Sequence, residues 1–167
     1  MVELGRLVPA TIAMVRCKAE PVQADNKTCY RHGIVEHTYR NSIVAYCADS
    51  LQRRGCRVLV LVKQIDHAET LAALIPGSVQ VDGRDNEAVD SCLRDLAAGK
   101  VSVVIGTSVI GEGRDVPAAD ALVYAAGGKS KVKVKQDYFR VLTASEGKRV
   151  GVIVDVSDQH HEKLFEH

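Results

Sequence analysis

Between Asn41 and Arg54 apolar residues recur every three or four positions, and Ile43, Val44, Cys47 and Leu51 fall on one side of a helix. Gly55 stands where a C-terminal cap belongs. The pattern then changes. Val58-Leu59-Val60-Leu61-Val62 is apolar at every position, as a strand is when helices cover both faces of a parallel sheet. Asp66-x-x-Glu69 reads as a capping box that opens a helix through Leu71 and Leu74 and stops at Pro76-Gly77. Val79-Gln80-Val81 is a short strand. Asp85 caps the next helix, in which Val89, Cys92, Leu93 and Leu96 keep the helical period up to Gly99. Val101 to Ile105, Ala121 to Tyr124 and Arg149 to Val154 are predicted as further strands. Strands alternating with helices of this length imply right-handed crossovers and an α/β fold with a mainly parallel sheet.

The first part of the chain is less regular. Thr11 to Arg16 suits an added strand, whereas Glu20 to Asn26 is polar, contains Pro21 and reads as an exposed loop. The 167 residues therefore divide into an irregular lead-in, 1–39, and an α/β body, 40–167, that together make one domain.

Composition narrows the class without naming a partner. Hydrophobic content of 46% and charged content of 26% suit a soluble globular chain and exclude a disordered one. A formal net charge of +1 means that any basic binding surface is local. No apolar run reaches bilayer length, and MVELGRLVPATIAMVRC lacks the order of a signal peptide, so no membrane partner and a cytoplasmic location are expected. The five cysteines, Cys17, Cys29, Cys47, Cys56 and Cys92, are odd in number and form no CxxC pair. They are expected to be reduced, partly buried thiols. His160, His161 and His167 have no spacing to cysteines or acids that suggests metal.

In open α/β sheets ligands bind at the carboxyl ends of strands. The richest such end here is Gly106-Thr107-Ser108-Val109-Ile110-Gly111-Glu112-Gly113-Arg114-Asp115-Val116-Pro117. Its glycines allow close backbone approach, the Thr107 and Ser108 hydroxyls suit a phosphate, and the Asp115 carboxylate suits ribose hydroxyls. The plain alternative is a glycine-rich turn. Lys129, Lys131, Lys133 and Lys135 alternate with other residues. On an extended segment they would share one face, either as a phosphate-tracking stripe or as protection of an edge strand. Gly127-Gly128-Lys129-Ser130 looks like the end of a Walker A loop, but the first glycine of that pattern would fall at Val123, inside a strand. The chain shows neither another Walker A nor a DExD/H-type box.

Thr107, Gly113, Asp115 and Pro117 stand at the spacing of motif V of superfamily-2 helicases, and the chain resembles the second, C-terminal RecA-like domain of that family. Arg57 to Lys63 resembles motif IV. Gly83 matches the glycine after the next strand, and Ala125 to Ser130 is similar to the segment after motif V in phage and repair-type DNA helicases. Val154-Asp155 resembles the strand-ending aspartate beyond motif VI, and Gly5-Arg6-Leu7-Val8-Pro9 the approach from the first domain. The resemblance implies a RecA-like three-layer fold. It also implies that Gly113 and Asp115 face ATP and Mg2+ held mainly by an N-terminal RecA-like ATPase domain. Thr107, Ser108, Lys63, Lys129 and Lys131 would face the nucleic-acid strand, with DNA favoured over RNA.

Motif VI departs from the family pattern. Where Gln-Arg-x-Gly-Arg-x-x-Arg is usual, the chain reads Gln136-Asp137-Tyr138-Phe139-Arg140-Val141-Leu142-Thr143. Gln136 and Arg140 remain as catalytic candidates, with Arg140 the one arginine finger left; such a finger is worth about 10³- to 10⁵-fold in rate. The resemblance thus implies half of an ATP-dependent helicase or translocase that does not turn over ATP alone. The alternative is a stand-alone nucleic-acid or protein binding module.

Overall fold

A strand with apolar side chains on both sides must be covered on both sides, and Val58–Val62 is buried at every residue. The computed structural model describes residues 7–18, 28–107, 115–127, 131–159 and 164. Its elements run β1 (Ala10–Cys17), a π-helical turn (Arg31–Val35), α1 (Thr38–Arg53), β2 (Val58–Val62), α2 (Ile65–Leu74), β3 (Val79–Val81), α3 (Asn86–Ala97), β4 (Val103–Thr107), β5 (Ala121–Tyr124), α4 (Lys131–Arg140) and β6 (Gly151–Asp158). The six strands lie in the order β1-β6-β5-β2-β4-β3, and every pairing is parallel.

Alternation along the strands builds the two cores. Val58, Val60 and Val62 meet Val44, Ala48 and Leu51 of α1 and Ala68 and Leu71 of α2 on one face. Leu59 and Leu61 meet Val89, Cys92 and Leu96 of α3 on the other, where Val134 and Tyr138 of α4 also pack. Burial of each such aliphatic side chain stabilises the fold by about 1.5–3 kcal/mol. The expected RecA-like three-layer architecture is the one observed. Among the described residues no helix is long and apolar enough to cross a membrane, and none of the five cysteines forms a disulfide.

Several local expectations need correction. The capping box at Asp66 does not form: α2 starts at Ile65 after Gln64, which makes no side-chain cap. Asp66 lies inside the first turn, where its carboxylate opposes the helix dipole and accepts from the His67 N–H and from Arg31. β4 begins at Val103, two residues later than predicted, because Val58 pairs with Val103; Thr107 consequently ends the strand opposite Val62. β6 runs on to Asp158. Asp155 is therefore not strand-ending, and the polar Asp155-x-Ser157-Asp158 hid an extension whose carboxylates have partners inside the protein. Lys131 to Lys135 belong to the helix α4, not to an extended strand, and Lys129 lies outside the described residues. Val134 and Tyr138, four residues apart, both reach the sheet, and Lys133 and Lys135 do not share the single face that an extended segment would give them. On a helix Lys133 lies about 200° around from Lys131. The Asp85 cap, the positive-φ glycines Gly55 and Gly99 after α1 and α3, and the added strand β1 agree with expectation.

Charged groups are also built into the interior. Arg40 and Asp158 have fully buried side chains, 2.6 Å apart from Nε to Oδ1, and Arg40 Nη1 donates to the Ala125 carbonyl at 3.0 Å. Next to them His67 Nε2 is 2.9 Å from Asn41 Oδ1, while Asn41 Nδ2 donates to the Val35 carbonyl. With the amide oriented this way, His67 donates from Nε2. Burial, and then the nearby Arg40, hold its pKa down to about 3 against an ordinary 6.5.

Two outcomes are expected. Arg40→Met leaves Asp158 buried without its partner and should cost about 3–5 kcal/mol in urea denaturation, whereas Arg40→Met combined with Asp158→Leu should recover most of that loss. His67 is neutral in the folded protein, and the unfolded chain takes up a proton below pH 6.5 that the folded one refuses. Its contribution is complete above pH 6.5 and is lost progressively as pH falls towards 3. Urea midpoints across that window should fall less steeply in His67→Gln than in the wild type.

Candidate functional site

Because all strands run the same way, their carboxyl ends share one edge of the sheet. A cleft of about 490 Å³ opens there, lined by Lys63, Gln64, Ile65, Asp66, Asp82, Arg84 and Thr107. The structure brings Lys63 and Thr107 into this one cleft, with Thr107 mostly buried at the tip of β4. Lys63 leaves the end of β2 and sits over the ring of Tyr30, its Nζ 4.9 Å from the centroid. Tyr30 in turn donates its hydroxyl to the Ala126 carbonyl at 2.7 Å, and burial raises its pKa.

Other charges on the rim are already paired. Arg84 Nη2 lies 2.7 Å from Asp82 Oδ2, and Arg31 Nη1 lies 3.0 Å from Asp66 Oδ2. These pairs are largely exposed, so they are worth little and can exchange a carboxylate for an incoming phosphate. Arg84, Arg31 and Tyr30 were not predicted. Gly83 marked the right turn, but no sequence signal carries Tyr30 across the sheet edge to Lys63.

The segment after β5 is fixed from below. Arg40 holds the Ala125 carbonyl, Tyr30 holds that of Ala126, and Gly127 has φ +61°. A Cβ on Gly127 would stand 3.0 Å from Ile34 Cδ1, so a side chain here would strain the backbone and displace Ile34. Lys129, which follows this turn, lies outside the described residues, as do Ser108 and Gly113. Gly5, Arg6 and the terminal histidines do so as well. Lys131 opens α4.

Asp115 belongs to a second, smaller depression of about 320 Å³ that it shares with Asp90, Leu93, Arg94, Ala97 and Pro117. It does not line the Lys63–Thr107 cleft. Its segment is tied to the end of α4, since the Val116 N–H donates to the Arg140 carbonyl at 3.0 Å. Gln136 is exposed on the outer face of that helix. Arg140 is only 14% exposed and its Nε lies 3.4 Å from Oδ1 of Asp137, whose side chain is buried. Its Nη1 is buried without a hydrogen-bond partner among the described residues. Asp137, one of the departures from motif VI, thus meets the remaining arginine of the motif. Tyr138 donates to Asp155 Oδ2 at 2.5 Å and stacks edge-on against Tyr124, which anchors α4 to the sheet.

Comparison with known proteins agrees with this geometry. Residues 39–145 match the helicase conserved C-terminal domain. A putative helicase of Sulfolobus islandicus filamentous virus (isolate Iceland/Hveragerdi) is 33% identical over 108 residues, which are 61% of this chain and 19% of that protein. Among solved structures, a fragment of a putative HsdR subunit of a type I restriction enzyme from Vibrio vulnificus YJ016 is similar with a TM-score of 0.70 and 17% identity. That similarity covers 93% of this chain and 33% of the other. T4 UvsW is similar with a TM-score of 0.67 and 16% identity, over 92% of this chain and 33% of its own. At these identities the solved structures speak for the fold alone. The match over residues 39–145 carries the assignment: this chain belongs to the helicase conserved C-terminal domain family.

Proposed function

We propose that this domain is the second RecA-like half of an ATP-dependent nucleic-acid helicase or translocase. It grips one strand at the carboxyl edge of the sheet and completes an ATP site between itself and an N-terminal RecA-like ATPase domain. The observation that carries the reading is the convergence of Lys63 and Thr107 in one cleft at the ends of adjacent strands. An ammonium beside a hydroxyl suits the phosphates of a strand lying along that edge. Ser108, next to Thr107, and Lys129 and Lys131, beyond Gly127, are assigned to the same track.

The nucleotide contacts fall to the other depression. Asp115 is exposed there and would accept from ribose hydroxyls, with Gly113 allowing close approach. The buried, unpartnered Nη1 of Arg140 fits an incoming phosphate oxygen, and Gln136 lies exposed one turn away. ATP, with its Mg2+, would be held mainly by the partner domain and supplies a phosphoryl group for transfer to water. This chain's part is to orient it and to offset the developing charge. DNA is favoured over RNA because residues 125–130 resemble DNA-acting relatives.

A second reading is a non-catalytic binding module, and the Asp137–Arg140 ion pair favours it. An arginine engaged by a buried carboxylate must leave that carboxylate before it can serve a phosphate.

The readings part on mutation. Thr107→Ala should weaken single-strand binding by about 0.5–1.5 kcal/mol, and Lys63→Ala should lower the salt dependence of binding by about one phosphate contact. With the ATP-binding domain present, Arg140→Ala should spare strand binding and depress strand-stimulated ATP hydrolysis about 10³-fold or more. Undiminished hydrolysis in Arg140→Ala would remove Arg140 from the ATP site. If joining the two domains produces no hydrolysis at all, the binding module is the correct reading.

A further inference from the structure

Lys148 lies outside every helicase motif identified in the chain. Its Nζ is nevertheless directed at four backbone carbonyls, those of Pro117, Ala119, Val141 and Thr143, at 3.2, 2.6, 2.5 and 3.3 Å. An ammonium has three hydrogens, so at least one is shared, and no carboxylate is within bonding reach of it among the described contacts. Two of these carbonyls belong to the segment that follows Asp115, and two to the turn that follows Arg140. Ser145 Oγ adds a bond to the Pro117 carbonyl at 2.9 Å. Among the described residues, the one backbone hydrogen bond between the two segments runs from the Val116 N–H to the Arg140 carbonyl, at 3.0 Å.

We infer that Lys148 is a positioning residue for the nucleotide site: its ammonium draws together the carbonyls of two segments and thereby sets the distance between Asp115 and Arg140. Without it, carbonyl dipoles from two loops face one another across a partly buried gap, and their repulsion would push the segments apart. Asp115 and Arg140 cannot be aligned to one nucleotide unless that gap is held closed. A misplacement of about 1 Å at a reacting group costs about a hundredfold in rate. The inference rests on the proposed ATP site, and its test separates the two.

The first measurement uses the 167-residue chain itself. Lys148→Met should speed amide hydrogen exchange at Val116 and Ala119 by about tenfold or more, while Val60 and Ile105 in the sheet interior keep their protection. Lys148→Arg, which retains a charged donor, should restore most of the protection. Should Lys148→Met not fold, Lys148→Gln keeps N–H donors, lacks the charge and carries the same comparison. The second measurement adds the ATP-binding domain. There Lys148→Met should lower kcat by about tenfold to a hundredfold. It should add little to the loss caused by Arg140→Ala, because both act through one guanidinium. A merely destabilising change would multiply the two losses.

Unchanged exchange at Val116 and Ala119 overturns the clamp. Faster exchange with an unchanged kcat, or with fully multiplicative losses, overturns the positioning role and leaves the ATP site standing. No hydrolysis by the wild-type pair overturns the functional reading, and the positioning role with it.

Discussion

Six parallel strands buried between two helix layers impose a constraint from which the rest of the molecule follows. Each crossover must return the chain to the starting edge, so every strand delivers its last residue to the same side. Lys63 after β2, Asp82 after β3, Thr107 on β4, Gly127 after β5 and Asp158 on β6 come to lie along one edge although they are scattered through the sequence. The cleft is thus a product of topology. Its side chains are mostly those that happened to stand where an apolar run stops.

The same edge collects charge, and the protein handles inner and outer charge differently. In the interior, Arg40 and Asp158 neutralise one another, and Nη1 of Arg40 fixes the Ala125 carbonyl. A buried pair of this kind adds little net stability over apolar residues, but it penalises any other arrangement of α1 against β6. At the rim, Arg84–Asp82 and Arg31–Asp66 are exposed, cheap to open and therefore available to a polyanion. The Asp137–Arg140 pair falls between these cases, with one partner buried and the other partly so. That intermediate state is why the two proposed readings differ at this pair.

Much of this was legible in the sequence, for physical reasons that can be named. Val58–Val62 and Ala121–Tyr124 were readable because a strand covered on both faces has no polar position to confuse its limits. The segments around α4 and β6 were not. Lys-Val-Lys-Val-Lys satisfies the strand period locally, and only the packing of Val134 and Tyr138 on the sheet selects the helix. Asp155, Ser157 and Asp158 look like the end of a strand until Tyr138 and Arg40 are seen to satisfy the two aspartates. Among the candidate residues, Thr107 could be read from motif spacing and Lys63 from its place just after the apolar run of β2. Tyr30 and Lys148 could not, because a cation over a ring and an ammonium among carbonyls are contacts between segments distant in sequence, with no local signature.

The central claim is that nucleic acid lies across the carboxyl edge of the sheet and not on some other surface of the domain. It is tested most directly by mapping amide hydrogen exchange in this chain with and without single-stranded DNA. New protection is expected at residues 63–66, 82–84 and 107, with β1 and the exposed face of α1 around Tyr39 and Tyr46 unchanged. Protection confined to β1 or to that face of α1, with residues 63–66 and 107 unaffected, would contradict it.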